Sequence, residues 1–315
     1  EGIIVGRGWT QEGGQPHAEV EALRRAKEAA RGAVLYVTLE PCAHHGKSPP
    51  CADAIVAAGL SRVVSALEDP NPKVAGAGHA RLRAAGIAVD LGIGAEEARR
   101  DHAGHIRRMR DGRPHVMLKL AISADGKVGA PGRTPVAITG AAARDRVHLL
   151  RSQSDAIMIG IGTALADDPM LTCRLPGMEK YSPVRIVLDS RLRLPPSSRL
   201  AQTARDVPTW LIAGAHAPRA SEEALLAKGV VILREEGHEG HLDLSAVLTL
   251  IGERGITRLM VEGGPTIAAA LVAADFVDEV VLFRSTKAVG AQGIDALCGL
   301  PLAALTESPR LNHVT

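Results

Sequence analysis

Pro16-His17-Ala18-Glu19-Val20, answered by Thr38-Leu39-Glu40-Pro41-Cys42 and then by Cys51, organises the first third of this 315-residue chain. One imidazole and two thiolates occupy three corners of a zinc tetrahedron and leave the fourth open for water, the donor set of a catalytic rather than a structural site. The metal lowers the pKa of such a water toward neutrality. Glu19 is too close in sequence to His17 to be a comfortable fourth ligand, so it reads as the proton shuttle. Each residue also has an ordinary reading. His-x-Glu at a helix start is commonly surface chemistry, and cysteines commonly serve as small buried hydrophobes. The setting favours zinc: His17 and Glu19 open an expected helix, Cys42 follows an expected strand over 34–39, and Cys51 opens the next helix.

Working outward, eight residues separate the two cysteines, where many nucleoside deaminases have two. A loop of that length beside a metal shapes the pocket, and His44, His45 and Lys47 within it are candidates to position a substrate ring or phosphate. Expected strands over 62–67 and 87–91 alternate with expected helices over 16–30, 51–58 and 81–85, the pattern of an α/β layered domain. Residues 1–9 read as a further strand. Residues 95–113 carry six arginines among several acids and little apolar periodicity. They read as a solvated helical connector, which puts the domain boundary after residue 113 and divides the chain into 1–113 and 114–315.

The second part alternates again. Strands are expected over 115–122, 156–159, 184–188, 209–213, 230–233, 258–261 and 279–283. Helices are expected over 141–151, over 221–228 capped by Ser221, over 244–254, and from Pro265 to Ala273. Two strand exits are rich in glycine: Ile159-Gly160-Ile161-Gly162-Thr163 and Glu262-Gly263-Gly264-Pro265-Thr266. Paired glycines let backbone N–H groups approach a phosphate at a helix N-terminus. Either turn alone is a weak signal; two in one domain favour a dinucleotide or phosphate ligand.

Composition narrows the class. Apolar residues at 46% and charged residues at 23% are ordinary for a soluble globular protein. Aromatic residues make up only 2%, too few for a platform that stacks single-stranded bases. A net charge of +2 implies neither a nucleic-acid surface nor a membrane surface. Four cysteines, two claimed for zinc and Cys173 and Cys298 far apart, make no disulfide framework. No apolar run of about 18 residues spans a bilayer, and the expected compartment is the cytoplasm.

TLEPCAHHGKSPPC, AGLSRVV, DPNPKVAGAG and LRAAGI in the first part, with LKLAISADGK, LLRSQSDAIMIGIGTALADDPMLT, RIVLDS and VEGGPT in the second, resemble the bifunctional riboflavin-biosynthesis deaminase/reductase family over essentially the whole chain. The resemblance implies an N-terminal cytidine-deaminase-like α/β/α sandwich followed by a dihydrofolate-reductase-like α/β domain. It implies zinc-dependent deamination of a 2,5-diamino-6-ribosylamino-pyrimidinone 5′-phosphate, then NADPH-dependent reduction of the ribosyl chain to ribityl. It matches His17, Cys42 and Cys51 to the Zn2+ ligands and Glu19 to the proton donor. It matches Ala121, Thr163, Asp167, Ser190, Gly264, Pro265 and Thr266 to NADPH contacts, and Arg151, Leu171, Arg174 and Glu262 to substrate contacts. The implied partner is a small-molecule pyrimidine ribosyl phosphate, with no nucleic acid and no membrane, in a homo-oligomer formed through the reductase domain. The chain departs from the pattern in three places. The family's N-terminal helix and Pro-Asn-Pro segment do not precede Glu1. The usual Ser and Trp near Ile-Thr are replaced around Pro135 and Ala137. The final strand has no counterpart after Thr315. The alternatives are a chain in which only the deaminase half is active and a nucleic-acid base deaminase with an unrelated second domain.

Overall fold

The computed structural model describes residues 2–45, 49–72, 74–130, 138–219, 222–237, 240–309 and 311. Expectations placed on Lys47, Pro135, Ala137 and the Ser221 cap lie outside those residues. Contacts divide the chain into two units, Glu1–Asp111 and Gly112–Thr315.

The first unit comprises α1 (Ala18–Ala26), β1 (Val34–Val37), α2 (Cys51–Ala57), β2 (Arg62–Ser65), α3 (Ala77–Ala84), β3 (Ala88–Leu91), α4 (Ala95–Asp101) and α5 (Ala103–Asp111). The strands form a parallel sheet in the order β1-β2-β3. Leu35, Val37, Val63 and Val89 of the sheet pack with Ala52 and Ile55 of α2 and Leu82 of α3. Because the strands are parallel, their carboxyl ends share one edge, where ligands gather in α/β folds.

Three expectations for this unit need correction. Residues 3–9 form no strand. They lie along α1 instead, where Gly6 and Gly8 come so close to the helix backbone that a Cβ on either would strike it, at Ala22 and at Ala18 respectively. The helix expected over 16–30 is shorter: His17 is its N-cap, and Lys27, at φ 51°, closes it before a 3-10 turn. A left-handed lysine gives no signal in a helix-favouring run of Ala, Arg, Glu and Lys. The arginine-rich stretch after residue 95 is more than a solvated connector. Ala98 is buried, and with Ala95 and Ile106 it packs against Leu39, Ala66 and Leu67. Small apolar residues suffice to seat these helices while Arg99, Arg100 and Arg110 stay in water.

The second unit comprises β4 (His115–Ile122), β5 (Lys127–Gly129), α6 (Ala141–Ser152), β6 (Ala156–Gly160), α7 (Ile161–Asp167), β7 (Val184–Leu188), α8 (Arg199–Gln202), β8 (Thr209–Gly214), α9 (Glu222–Ala227), β9 (Val231–Glu235), α10 (Leu244–Glu253), β10 (Arg258–Val261), α11 (Pro265–Ala273), β11 (Glu279–Arg284), β12 (Ile294–Asp295) and α12 (Ala303–Thr306). Seven strands form one sheet in the order β11-β4-β10-β6-β7-β8-β9, every neighbouring pair parallel. β5 and β12 pair antiparallel beside it. Strand β4 shows why both faces are covered. Val116, Leu118, Leu120 and Ile122 point into the core that includes Leu248 and Ile251 of α10, whereas Met117 packs with Val147 and Leu150 of α6.

Arg185 in β7 is fully buried. Its guanidinium donates to Thr203 Oγ1 at 2.8 Å and to the carbonyls of Thr203 at 3.0 Å, Val207 at 2.5 Å, Met170 at 3.3 Å and Leu200 at 3.4 Å. Burial pulls its pKa down to about 10. The cation is thus held by backbone dipoles, with no carboxylate in hydrogen-bond contact.

Candidate functional sites

In the first unit the chain ends of β1, α1 and α2 bring three donors together. His17 caps α1, Cys42 lies in the exit from β1, and Cys51 is the first residue of α2. His17 Nδ1 is 3.6 Å from Cys42 Sγ and 3.3 Å from Cys51 Sγ. Zinc arms of about 2.0 Å to nitrogen and 2.3 Å to sulfur, meeting at the tetrahedral angle, leave their ends about 3.5 Å apart. The donor set therefore fits zinc in chemistry and spacing. His17 Nε2 faces the Gln15 side chain at 3.1 Å, which fixes the ring orientation.

The two thiols behave as a pair sharing a proton. The hydrogen bond from Cys51 lowers the Cys42 pKa to about 5, and the same contact pushes Cys51 up. The Cys51 backbone N–H adds a donor to Cys42 Sγ at 3.2 Å. Glu19, on the first turn of α1, is 7% exposed and feels His17, Cys42 and Cys51. Burial raises its pKa above the ordinary carboxylate value.

In the second unit Ala121, Ser190 and the two glycine-rich turns fall at or just beyond the carboxyl edge of the parallel sheet. Ala121 is the penultimate residue of β4, Ser190 follows β7, and Thr163 and Asp167 lie on α7, which leaves β6 directly. The two glycine-rich exits are neighbours: a Cβ on Gly264 would sit 3.3 Å from Thr163 Oγ1, and one on Gly160 would press Ile267. Gly264 is the N-cap of α11 and Pro265 its first residue, and no side chain caps that end. The turn is a cradle that only a residue without a side chain leaves open, and its free N–H groups suit a pyrophosphate. Asp167 and Thr266 are exposed there.

Arg151 and Glu262 lie 111 residues apart and meet in a bidentate pair, Nε to Oε1 at 2.8 Å and the second guanidinium nitrogen to Oε2 at 3.2 Å. Arg151 also donates to the Thr172 carbonyl at 3.0 Å. Lys119, which the sequence reading did not single out, reaches Glu262 at 3.5 Å. Burial opposes ionisation of Glu262, but the charges of Arg151 and Lys119 outweigh it and hold the pKa below the usual carboxylate value. A lysine facing the same side of β4 as Ala121, two residues on, was the available signal. Leu171 is buried at φ 54°, a strained setting for a branched side chain, and it starts the loop that carries Arg174. Arg174 is exposed, its N–H 3.3 Å from His148 Nδ1. Burial and the neighbouring Arg151 and Arg199 lower its pKa. Asp189 is buried and accepts the Leu194 N–H at 2.8 Å, and burial raises its pKa above the ordinary carboxylate value.

Residues 114–311 match the RibD C-terminal domain family, and residues 1–67 match the cytidine and deoxycytidylate deaminase zinc-binding region. Riboflavin biosynthesis protein RibD of Escherichia coli is 42% identical, with 98% of this chain and 86% of that protein covered. The chain belongs to the RibD family. RibD of Aquifex aeolicus is also 42% identical, over 92% of this chain and 79% of its own length. Among solved structures, Acinetobacter baumannii RibD superposes with a TM-score of 0.84 at 35% identity, covering 96% of this chain and 82% of its own. The Thermotoga maritima diaminohydroxyphosphoribosylaminopyrimidine deaminase/5-amino-6-(5-phosphoribosylamino)uracil reductase gives 0.81 at 34% identity, over 94% and 80%. The fold is that of RibD proteins, a cytidine-deaminase-like unit followed by a dihydrofolate-reductase-like unit. The family is a bifunctional deaminase/reductase of riboflavin biosynthesis with a zinc-binding deaminase region. No helix among the described residues is long and apolar enough to cross a membrane.

Proposed function

We propose that the chain performs two successive reactions on one pyrimidine ribosyl phosphate: hydrolytic removal of the 2-amino group in the first unit, then NADPH-dependent opening of the ribosyl ring to a ribityl chain in the second. The observation that carries the reading is the triad of His17, Cys42 and Cys51 with a buried carboxyl, Glu19, beside it. A bound zinc supplies the Lewis acidity that makes water a nucleophile at neutral pH. Glu19 is assigned the proton transfers, taking a proton from the attacking water and delivering it to the ring nitrogen and the departing amine. Its burial keeps bulk water from competing for that proton.

For the second step, NADPH supplies a hydride when bound. The Gly263-Gly264 turn and the first N–H groups of α11 suit its pyrophosphate, with Thr163 beside them. Ala121 is assigned backbone contact at the sheet edge, and Ser190 with Arg191 is assigned the adenosine 2′-phosphate. Arg174 is the exposed cation suited to the sugar phosphate, whereas Arg151 is oriented by Glu262 and Thr172 and supports the same loop. Metabolites of this kind are cytoplasmic, and we place the enzyme there.

Mass spectrometry of products from the diamino-pyrimidinone phosphate tests both halves at once. The expected result is the deaminated compound without NADPH, and the deaminated and reduced compound with it. Unchanged substrate from zinc-loaded protein would refute the reading.

A further inference from the structure

Glu40 stands two residues before Cys42 and belongs to no metal cluster that its own hydrogen bonds permit. It is 4% exposed. Oε2 accepts the N–H of Asp69 at 3.0 Å and of Gly76 at 2.9 Å, and Oε1 accepts those of Gly78 at 2.7 Å and His79 at 3.1 Å. All four donors come from residues 69–79, the segment that leaves β2 and enters α3. An ionised carboxylate offers about four acceptor directions, so none is left. This argues against a cation held by Glu40, Glu68 and His79, although their ligand atoms lie within 4.8 Å of one another.

The segment also presses on the strand exit that carries Cys42. A Cβ on Gly78 would strike the Pro41 carbonyl and stand 3.1 Å from Glu40 Oε1, so only glycine allows the approach. At the other end is the Asp69-Pro70-Asn71-Pro72 turn, closed by the Asn71 N–H on Asp69 Oδ1 at 2.8 Å. Asp69 feels the charge of His44, which lies in the loop between the two cysteines. The Asp69 N–H on Glu40 Oε2 and the Gly78 approach to Pro41 hold this segment against the strand exit that carries Cys42, and Glu40 anchors the turn from within.

We propose that Glu40 is a positioning residue of the deamination step: it fixes the Asp69–Pro72 turn as a wall of the pocket at His17, Cys42 and Cys51, while touching neither metal nor substrate. The proposal rests on the deaminase reading above. A carboxamide at this position keeps one acceptor oxygen and turns its NH2 against two backbone donors, so roughly half of the anchorage turns repulsive.

The test uses the zinc-loaded full chain as wild type, Glu40→Gln and Glu40→Asp. It records zinc content, deamination of the pyrimidinone phosphate, and reduction of the pre-deaminated compound. Glu40→Gln is expected to keep its zinc and its reductase rate, to raise the deaminase KM by about tenfold or more, and to hold kcat within about threefold. Glu40→Asp, with the charge kept but withdrawn by one methylene, is expected to fall between. Zinc and kcat falling together at constant KM would assign Glu40 to the ligand strand alone and overturn the proposal, as would unchanged kinetics. If Glu40→Gln does not fold, the same split is read from Glu40→Asp. A wild type that binds zinc but does not deaminate removes the deaminase reading and this proposal with it, a result distinct from either variant outcome.

Discussion

Replacing Arg151 by methionine separates its two candidate roles, gripping a substrate phosphate or bracing the fold. The side chains of Arg151 and Glu262 are each 11% exposed and joined by two hydrogen bonds. Removing one partner of such a pair costs about 3–5 kcal/mol, mostly from the charge left behind. One feature places Arg151→Met at the lower end: Lys119 still neutralises Glu262 at 3.5 Å. A loss of about 3 kcal/mol lowers the melting temperature of a unit this size by about 6–12 °C. The assay is thermal unfolding without substrate, following the transition that also abolishes reductase activity. The pair should in addition make the wild type acid-sensitive. Because the folded pKa of Glu262 lies below its unfolded value, its contribution is complete above the ordinary carboxylate range and is lost as pH falls through the folded value. Arg151→Met should flatten that dependence. A loss below about 1 kcal/mol with an unchanged acid limb would mean the pair is no brace, and the argument from burial would be wrong.

Other outcomes follow from the sites. Cys51→Ser should lose metal and deamination together, since a neutral hydroxyl is a poor zinc ligand, and metal analysis with a deaminase assay reads both. Glu19→Gln should retain zinc and lose about 10²–10⁴-fold in deaminase kcat; release of zinc by this variant would show that Glu19 is a ligand instead. Arg191→Ala should weaken NADPH binding by about ten- to a hundredfold, the worth of one charge-assisted contact, and leave NADH almost untouched. Titration of both cofactors decides it, and equal weakening would remove the 2′-phosphate reading. Gly8→Ala should destabilise the first unit by about 1–3 kcal/mol, because its Cβ would strike the α1 backbone; chemical denaturation of that unit measures it.

The legible parts of this protein were those in which chemistry demands fixed residue types. Zinc needs imidazole and thiolate donors, so His17, Cys42 and Cys51 stand out across 34 residues, and the structure brings them within reach of one ion. The alternating apolar runs of parallel strands were legible for the same reason, since strands covered on both faces need little polar interruption. What escaped depends on pairings far apart in sequence. Glu40 bonds to backbone N–H groups, which leave no trace in side-chain identity. Arg185 sits in an apolar strand and its two terminal nitrogens are held by a hydroxyl and carbonyls, while Nε has no partner among the described residues, so no carboxylate announces it. Lys119 looks like a surface cation until Glu262 arrives beside it, and the pairing of Arg151 with Glu262 went unread although both residues were singled out. The helices α4 and α5 were expected, but their packing was missed because alanine-sized contacts are enough to dock them, below the threshold of an apolar periodicity.

The cage around Arg185 carries a consequence for the order in which the second unit opens. Its acceptors are a hydroxyl and backbone carbonyls that do not titrate, and the guanidinium, with a pKa of about 10, stays charged through the whole acid range. The brace between β7 and the Leu200–Val207 stretch is therefore insensitive to falling pH, whereas the Glu262 pair beside β10 is not. In hydrogen exchange at decreasing pH, amides of β4 and β10 should lose protection before those of β7 and β8. The sheet would then contain two cooperative blocks, and the acid-labile one is the block that holds the Arg151–Glu262 pair.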